Sequence, residues 1–336
     1  MLTLTRKGLY CQPGDFYIDP SGAVERAVIT HAHSDHARRG SQIYYTVNEG
    51  VSVLKTRLGK NILVKSFAYG EKFFFNDIQV SFHPAGHILG SSQIRMEYKN
   101  KVWVASGDYK RESDPTCKAF EVVPCDVFLT EATFGAPSFA WKKEPDLGLD
   151  IIDWWNGNSK QGLNSILFAY SLGKAQRVLG LLHPYATKPI YCHPATSAIN
   201  DCYRAEGVGL APTRCLSKLE DDRILRGELL LVPSSFFRSE YAEFAGTHYK
   251  TAFASGWMAK NQGGYGRESS YDRGFVMSDH SDWNDLVRTI SETQAKRVYV
   301  QHRGNGSLVR HLRSLGVEAY PDSALIPQNP DQLVLF

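Results

Sequence analysis

The chain has 336 residues, 43% of them apolar, enough for about two packed domains and too much for a disordered or collagen-like polymer. Its 38 Lys+Arg against 35 Asp+Glu leave a formal charge of +3, too mild to dedicate the whole surface to nucleic acid, so any polyanion site is local. No apolar run nears the roughly 18 residues of a membrane span and Met1 to Cys11 lacks the apolar centre of a secretory signal, so a cytoplasmic protein is expected. Cys11, Cys117, Cys125, Cys192, Cys202 and Cys215 form no C-x-x-C pair and are expected to be reduced, mostly buried thiols.

In chain order, Ala27 to Thr30 predicts a strand that runs into His31, and Ile78 to Phe82 alternates as a half-buried strand shortly before His87. Val102 to Ala105 leads to Asp108, and Val127 to Thr130 leads to Glu131. From Pro137 to about Gly274, strand-like and helical patterns alternate without delivering such residues, the organisation of an inserted domain. Within it Ser165 to Ala169 predicts a strand, Ser171 to Gly173 a turn, Lys174 to Leu182 a helix, and Pro189 to Cys192 and Leu229 to Val232 neighbouring strands. The glycine-rich, polar stretch 260–274 predicts a mobile loop at a boundary. Phe275 to Met277 then precedes His280 and Val298 to Val300 precedes His302, with helices over Asp282 to Thr293 and Ser307 to Leu315. Six strand-like runs thus end in residues that can hold a metal or move a proton, which predicts a shared site at one sheet edge.

The densest signal is His31-Ala32-His33-Ser34-Asp35-His36, four potential ligands in six residues directly after an apolar strand. Chance places such a pattern in fewer than roughly one chain of this length in a thousand. Alternate residues of a tight loop can turn His31 and His33 to one ion and Asp35 and His36 to a second. Imidazoles with a carboxylate suit zinc, with manganese an option at the oxygen-richer position.

Together with Pro84-Ala85-Gly86-His87 and Ser106-Gly107-Asp108, this motif resembles the metallo-β-lactamase superfamily. The resemblance implies an α/β fold of the αββα sandwich type, one metal held by His31, His33, His87 and Asp108, and a second held by Asp35, His36, the bridging Asp108 and His302. It also implies that Asp19, in Tyr17-Ile18-Asp19-Pro20, orients the histidine loop; on sequence alone Asp19 reads as a turn residue before proline. The segment Thr130-Glu131-Ala132-Thr133-Phe134-Gly135, a long insertion, Ser278-Asp279-His280-Ser281-Asp282 and Gln301-His302-Arg303-Gly304 resemble the β-CASP branch, whose members act on nucleic acids. That branch implies core segments at 1–136 and 271–336 with an α/β cap inserted at 137–270. Glyoxalase-type relatives carry no such cap.

Within the branch, Gly8-Leu9-Tyr10-Cys11, Asp15-Phe16-Tyr17-Ile18-Asp19-Pro20 and Tyr170-Ser171-Leu172-Gly173-Lys174-Ala175-Gln176 are most similar to the bacterial ligase-associated DNA exonucleases. This implies two-metal hydrolysis of DNA, 5′-to-3′ exonuclease action in repair, and functional association with an ATP-dependent DNA ligase and a helicase. The alternative is an RNA-processing nuclease, since among eukaryotic members the position of His302 tends to be His in RNA processing and Val in DNA repair. In both, His280 would be the general acid, Glu131 would orient it, and Asp108 and Asp35 would complete the catalytic set through the metals.

For the nucleic acid itself, Ser171 and Lys174 either hold a phosphate at a helix start or form an ordinary turn. Lys260, Arg267 and Arg273 with Tyr265 and Tyr271 either meet phosphates and bases of a single strand or form a solvated loop. His83 reads as a buried neighbour of the site rather than a ligand, and Asp282 as a helix cap.

Overall fold

The computed structural model describes residues 1–141, 146–219, 224–261, 271–301 and 306–327. It is a mixed α/β protein in two units, Met1–Ala140 with His280–Phe336, and Trp141–Asp279.

In the first unit, β1 (Leu2–Thr5), β2 (Gly8–Cys11), β3 (Phe16–Ile18), β4 (Arg26–Val28), β5 (Ile43–Val47) and β6 (Val64–Phe67) form a sheet in sequence order. It is antiparallel through β3 and parallel from there on, with α1 (Val51–Leu58) between β5 and β6. A second sheet starts with the antiparallel run β7 (Phe73–Phe75), β8 (Ile78–Pro84), β9 (Ser92–Tyr98) and β10 (Lys101–Ala105), to which β11 (Val127–Thr130) adds in parallel.

The second unit is built on one sheet, all of whose described pairings are parallel: β12 (Asn164–Phe168), β13 (Ile190–Cys192), β14 (Thr213–Cys215), β15 (Leu229–Val232), β16 (Tyr249–Ala254) and β17 (Arg273–Phe275), in the order β14-β13-β15-β12-β16-β17. α2 (Leu147–Lys160) leads into β12, and the crossovers carry α3 (Lys174–Leu182), α4 (Pro194–Ala205) and the short α5 (Met258–Asn261). The chain returns to the first unit through α6 (Trp283–Glu292), β18 (Arg297–Val300), α7 (Gly306–Ser314) and β19 (Glu318–Pro321), and β18 inserts between β11 and β19. Asp282 caps α6 by accepting from Asp285 N at 2.9 Å.

Two apolar layers hold the first unit. Phe16, Val28 and Val47 of the first sheet pack with Ile78, Phe82, Ile94 and Leu129 of the second. The opposite face of the second sheet buries Val104, Phe128, Val298 and Val300 against Leu286 and Ile290 of α6 and Leu308 and Leu312 of α7. Each such side chain contributes about 1.5–3 kcal/mol on burial. Burial on both faces explains why β11 and β18 are nearly unbroken apolar runs, while β2 and β3 alternate.

The shared sheet edge expected from the sequence is corrected here. Five of the six runs overlap strands of two sheets, β4 in the first and β8, β10, β11 and β18 in the second; of the sixth, Phe275 to Met277, only Phe275 is in a strand, β17 of the second unit's sheet. β17 lies beyond the 270/271 boundary expected from the sequence, but its pairing with β16, Ala252 opposite Arg273 and Ala254 opposite Phe275, ties it to the second unit. The six cysteines are free thiols, and burial pushes Cys11 up to about 11. Among the described residues, no helix is long and apolar enough to cross a membrane.

Candidate metal centre and active site

Three loops bring the ligand-type side chains together. After β4 the chain turns sharply: the backbone N–H groups of His36 and Ala37 both donate to His33 O, at 3.2 and 2.8 Å, which coils His31 to His36 into one turn. His87 sits in the connection from β8 to β9, where Ser91 Oγ accepts from the backbone N–H of His87 and of Ile88 at 3.1 and 3.2 Å. Asp108 follows β10. Glycine is required beside the last two: Gly86 has φ +72° and an added Cβ would meet Lys110 O at 2.3 Å, while Gly107 has φ +56° and its Cβ would meet Thr30 at 2.6 Å.

The result is a cluster of His31, His33, His87 and Asp108, with ligand-type atoms all within 4.8 Å of one another. His33 Nδ1 lies 3.1 Å from His31 Nε2 and 3.0 Å from His87 Nε2. Asp108 Oδ2 lies 3.5 Å from His31 Nε2 and 3.8 Å from His87 Nε2. A tetrahedral zinc with bonds of about 2.0–2.2 Å places its ligands roughly 3.3–3.5 Å apart, so this nitrogen and oxygen set fits such an ion. Burial holds the His31 imidazole well below its usual value, the neutral form a metal needs.

His36 faces the same carboxylate, its Nε2 3.5 Å from Asp108 Oδ2, and its Nδ1 lies 2.7 Å from Asp19 Oδ2. Asp19 also accepts from Thr30 N at 2.8 Å and Thr30 Oγ1 at 2.5 Å, from a left-handed position at φ 44°. Burial opposes a charge on His36, but Asp108 and Asp19 outweigh it and raise its pKa well above the usual imidazole range. A histidine whose far nitrogen is tied to a carboxylate has its ring orientation and tautomer fixed for an ion. Asp19→Ala is therefore expected to lower metal affinity about 10- to 100-fold. Chelator competition measures this, and an unchanged affinity would confine Asp19 to a role in folding.

A second cluster joins Asp108 to Glu131 and His280. Glu131 is 1% exposed and fully engaged: Oε1 accepts from Tyr109 N at 2.7 Å and Oε2 from His280 Nδ1 at 2.9 Å. The His280 ring lies 4.8 Å from that of His87, centroid to centroid. With both oxygens committed, Glu131 is suited to hold an imidazole in place rather than to take up an ion.

The remaining expected residues fall elsewhere. Asp35 stays at the rim of the site, its side chain 69% exposed but its Oδ2 3.8 Å from His36 Nε2, the nitrogen that faces Asp108. His302, Arg267 and Tyr265 lie outside the described residues, and Lys260 lies in α5. Lys174 is a correction: it is 5% exposed, its ammonium 3.2 Å from Asp279 Oδ2 and 5.0 Å over the Tyr170 ring, so its charge is taken up inside the unit. Ser171 is half-buried; its carbonyl accepts from Gln176 Nε2 at 3.1 Å, and Gln176 Oε1 takes the N–H of Gly173 at 2.8 Å, so the Gly173 N–H is already satisfied within the helix start. Arg273 is also corrected: it is a strand residue paired with Asp150 and stacked over Phe275 at 4.8 Å. Tyr271 stacks on Phe253 at 5.3 Å instead of offering a free face. His83 is held between Ser81 Oγ and Glu121 Oε1, each at 3.0 Å.

Two supporting residues escaped the sequence reading. Ser91, four residues after His87, holds the loop by its hydroxyl, and a small hydroxyl residue just past a turn histidine was the available signal. Arg57 of α1 donates to Ala32 O between two ligands, a contact across the fold that no local pattern announces.

No protein-family model matches the chain. A probable DNA ligase of Opitutus terrae is 27% identical over 315 residues, 93% of this chain and 30% of that protein. The endoribonuclease ysh1 of Aspergillus fumigatus is 26% identical over 225 residues, 64% of this chain and 23% of that one, and an RNase J-like protein of Methanocaldococcus jannaschii is 24% identical over 186 residues, 48% and 44%. The chain spans less than half the length of each of these curated relatives. A crystal structure of a protein of unknown function from Enterococcus faecalis shares the fold, with TM-score 0.53 at 13% identity over 84% of this chain and 77% of that one. The motifs of the chain and these relatives fit the β-CASP branch of the metallo-β-lactamase superfamily.

Proposed function

We propose that this chain is a metal-dependent phosphodiesterase acting on DNA, a 5′-to-3′ exonuclease of cytoplasmic DNA repair, built as an αββα sandwich with an inserted β-CASP cap. The observation that carries this reading is the juxtaposition of two clusters on Asp108: the His31, His33 and His87 imidazoles on one side and the Glu131–His280 pair on the other. A lactam or thioester hydrolase would leave that pair without a task.

Two divalent ions, zinc with manganese as the alternative, would supply Lewis-acid charge to the scissile phosphate and the attacking water. His31, His33, His87 and Asp108 would hold one, and Asp35, His36, Asp108 and His302 the other. His280 would deliver a proton from Nε2 to the departing sugar oxygen, while Glu131 fixes Nδ1 and so aims the ring. Burial of Glu131 and of the His31 and His87 side chains keeps bulk water off the donors.

The DNA reading is supported by the share of this chain, 93%, that aligns with a probable DNA ligase; functional association with an ATP-dependent DNA ligase and a helicase is proposed on the resemblance of the sequence motifs. RNA processing is the second reading, favoured by the ysh1 and RNase J-like relatives and by histidine at 302. Matched single strands of DNA and RNA, labelled at either end and incubated with zinc or manganese, separate the two. Metal-dependent release of mononucleotides from the 5′ end of DNA is expected, and preferential cutting of RNA would overturn the DNA assignment.

A further inference from the structure

We infer that Arg38 and Arg39 form a subsite for the phosphate backbone of a single nucleic-acid strand, next to the metal ligands of the first unit. The inference rests on the nuclease reading for the purpose of the subsite, and on the following geometry for its existence.

The chain leaves His36 and passes through Ala37 directly to Arg38 and Arg39, both exposed. The backbone beneath them is fixed from inside: the buried Tyr44 hydroxyl donates to Arg38 O at 2.7 Å and accepts from Ser41 N at 3.0 Å. Behind them Arg39 Nη2 donates to Arg57 O at 3.2 Å, and the Arg57 guanidinium donates to Ala32 O in the histidine loop. Burial holds Arg57 below its ordinary value, an effect Asp35 offsets and the neighbouring charge of Arg39 reinforces.

Like charges are therefore packed side by side at this loop. Among the described residues, no ion pair within 4.0 Å engages Arg38, Arg39 or Arg57. The carboxyl-terminal turn of α1 accounts for Lys55 and Arg57, since cations there complement the helix dipole. It does not account for Arg38 and Arg39, which stand on no helix. A pinned backbone presenting two adjacent guanidinium groups has the planar, multiply donating chemistry that suits phosphodiesters. Arg39 is three positions after His36, so their Cα atoms lie within roughly 11 Å. A strand bound at the metal ligands would bring its neighbouring phosphates past this pair.

The test compares Arg38→Gln/Arg39→Gln with Arg38→Lys/Arg39→Lys and the unaltered holoprotein. Anisotropy of labelled oligo-dT and oligo-rU with phosphorothioate linkages, which keep their charge and resist cleavage, is followed against salt. The glutamine pair is expected to weaken binding about 10- to 30-fold near 0.1 M salt and to make the log–log salt slope shallower by about 1.4. The loss should be equal for both sugars, because phosphate contacts do not read the sugar, and the lysine pair should retain most of the affinity. Melting midpoint and metal content at the unaltered protein's values establish that the variant is folded. Unchanged affinity and slope in the glutamine pair, or no binding by the unaltered protein, overturns the subsite. Glutamine-sensitive binding by a protein that cleaves neither strand would overturn the nuclease reading and leave the subsite standing.

Discussion

Asp108→Ala is expected to lower turnover in the proposed nuclease reaction by at least about 1,000-fold and to reduce the metal retained per chain. Asp108 Oδ2 lies within 3.5 to 3.8 Å of the Nε2 atoms of His31, His36 and His87, so one oxygen faces both histidine groups. Removing it leaves the imidazoles with no shared anion, and metal charge against a phosphate is worth several kcal/mol at about 1.4 kcal/mol per tenfold in rate. Metal analysis of the purified variant beside end-labelled strand assays gives both quantities. Asp108→Asn, which keeps the shape and drops the charge, guards against a folding artefact. A variant that kept its full metal complement and its rate would remove Asp108 from the centre of the site.

His280→Ala should behave differently, losing about 100- to 10,000-fold in turnover while keeping its metal. The difference follows from Glu131, whose oxygens are taken by Tyr109 N and His280 Nδ1 at 2.7 and 2.9 Å. An imidazole tied at Nδ1 offers Nε2 as its single working atom. Because Asp108, Glu131 and His280 lie close enough to share an ion, metal content is the deciding readout. Loss of an ion on replacing His280 would make it a ligand and end its assignment as the acid.

The histidine loop was legible because its signal is local: four ligand types in six residues after an apolar strand leave little room for another reading. Helix boundaries were legible for a related reason. Lys174–Leu182 follows a glycine turn and Trp283–Glu292 follows an aspartate that caps it, and both signals sit within four residues of the helix they start. The Glu131–His280 pair joins residues 149 apart in sequence, and only the family's motifs linked them in advance. Local pattern failed where pairing across the fold decides. Arg273 to Phe275 is a three-residue run whose sheet is chosen by β16, and Lys174 reads as a surface cation until Asp279 is seen beside it. Long-range partners of this kind leave no periodicity in the chain.

The parallel register of β11 with β18, Val127 opposite Arg297 and Thr130 opposite Val300, has a consequence for the order of assembly. The hairpins from β7 to β10 close over short loops and can form early, whereas β18 can take its place only after the whole of the second unit has been threaded between it and its neighbour. Loop-closure entropy and contact order make that pairing the slow one. Until it forms, the β11 edge of the second sheet stays unpaired during synthesis, so the segment that carries β18 is what closes an aggregation-prone opening in the first unit.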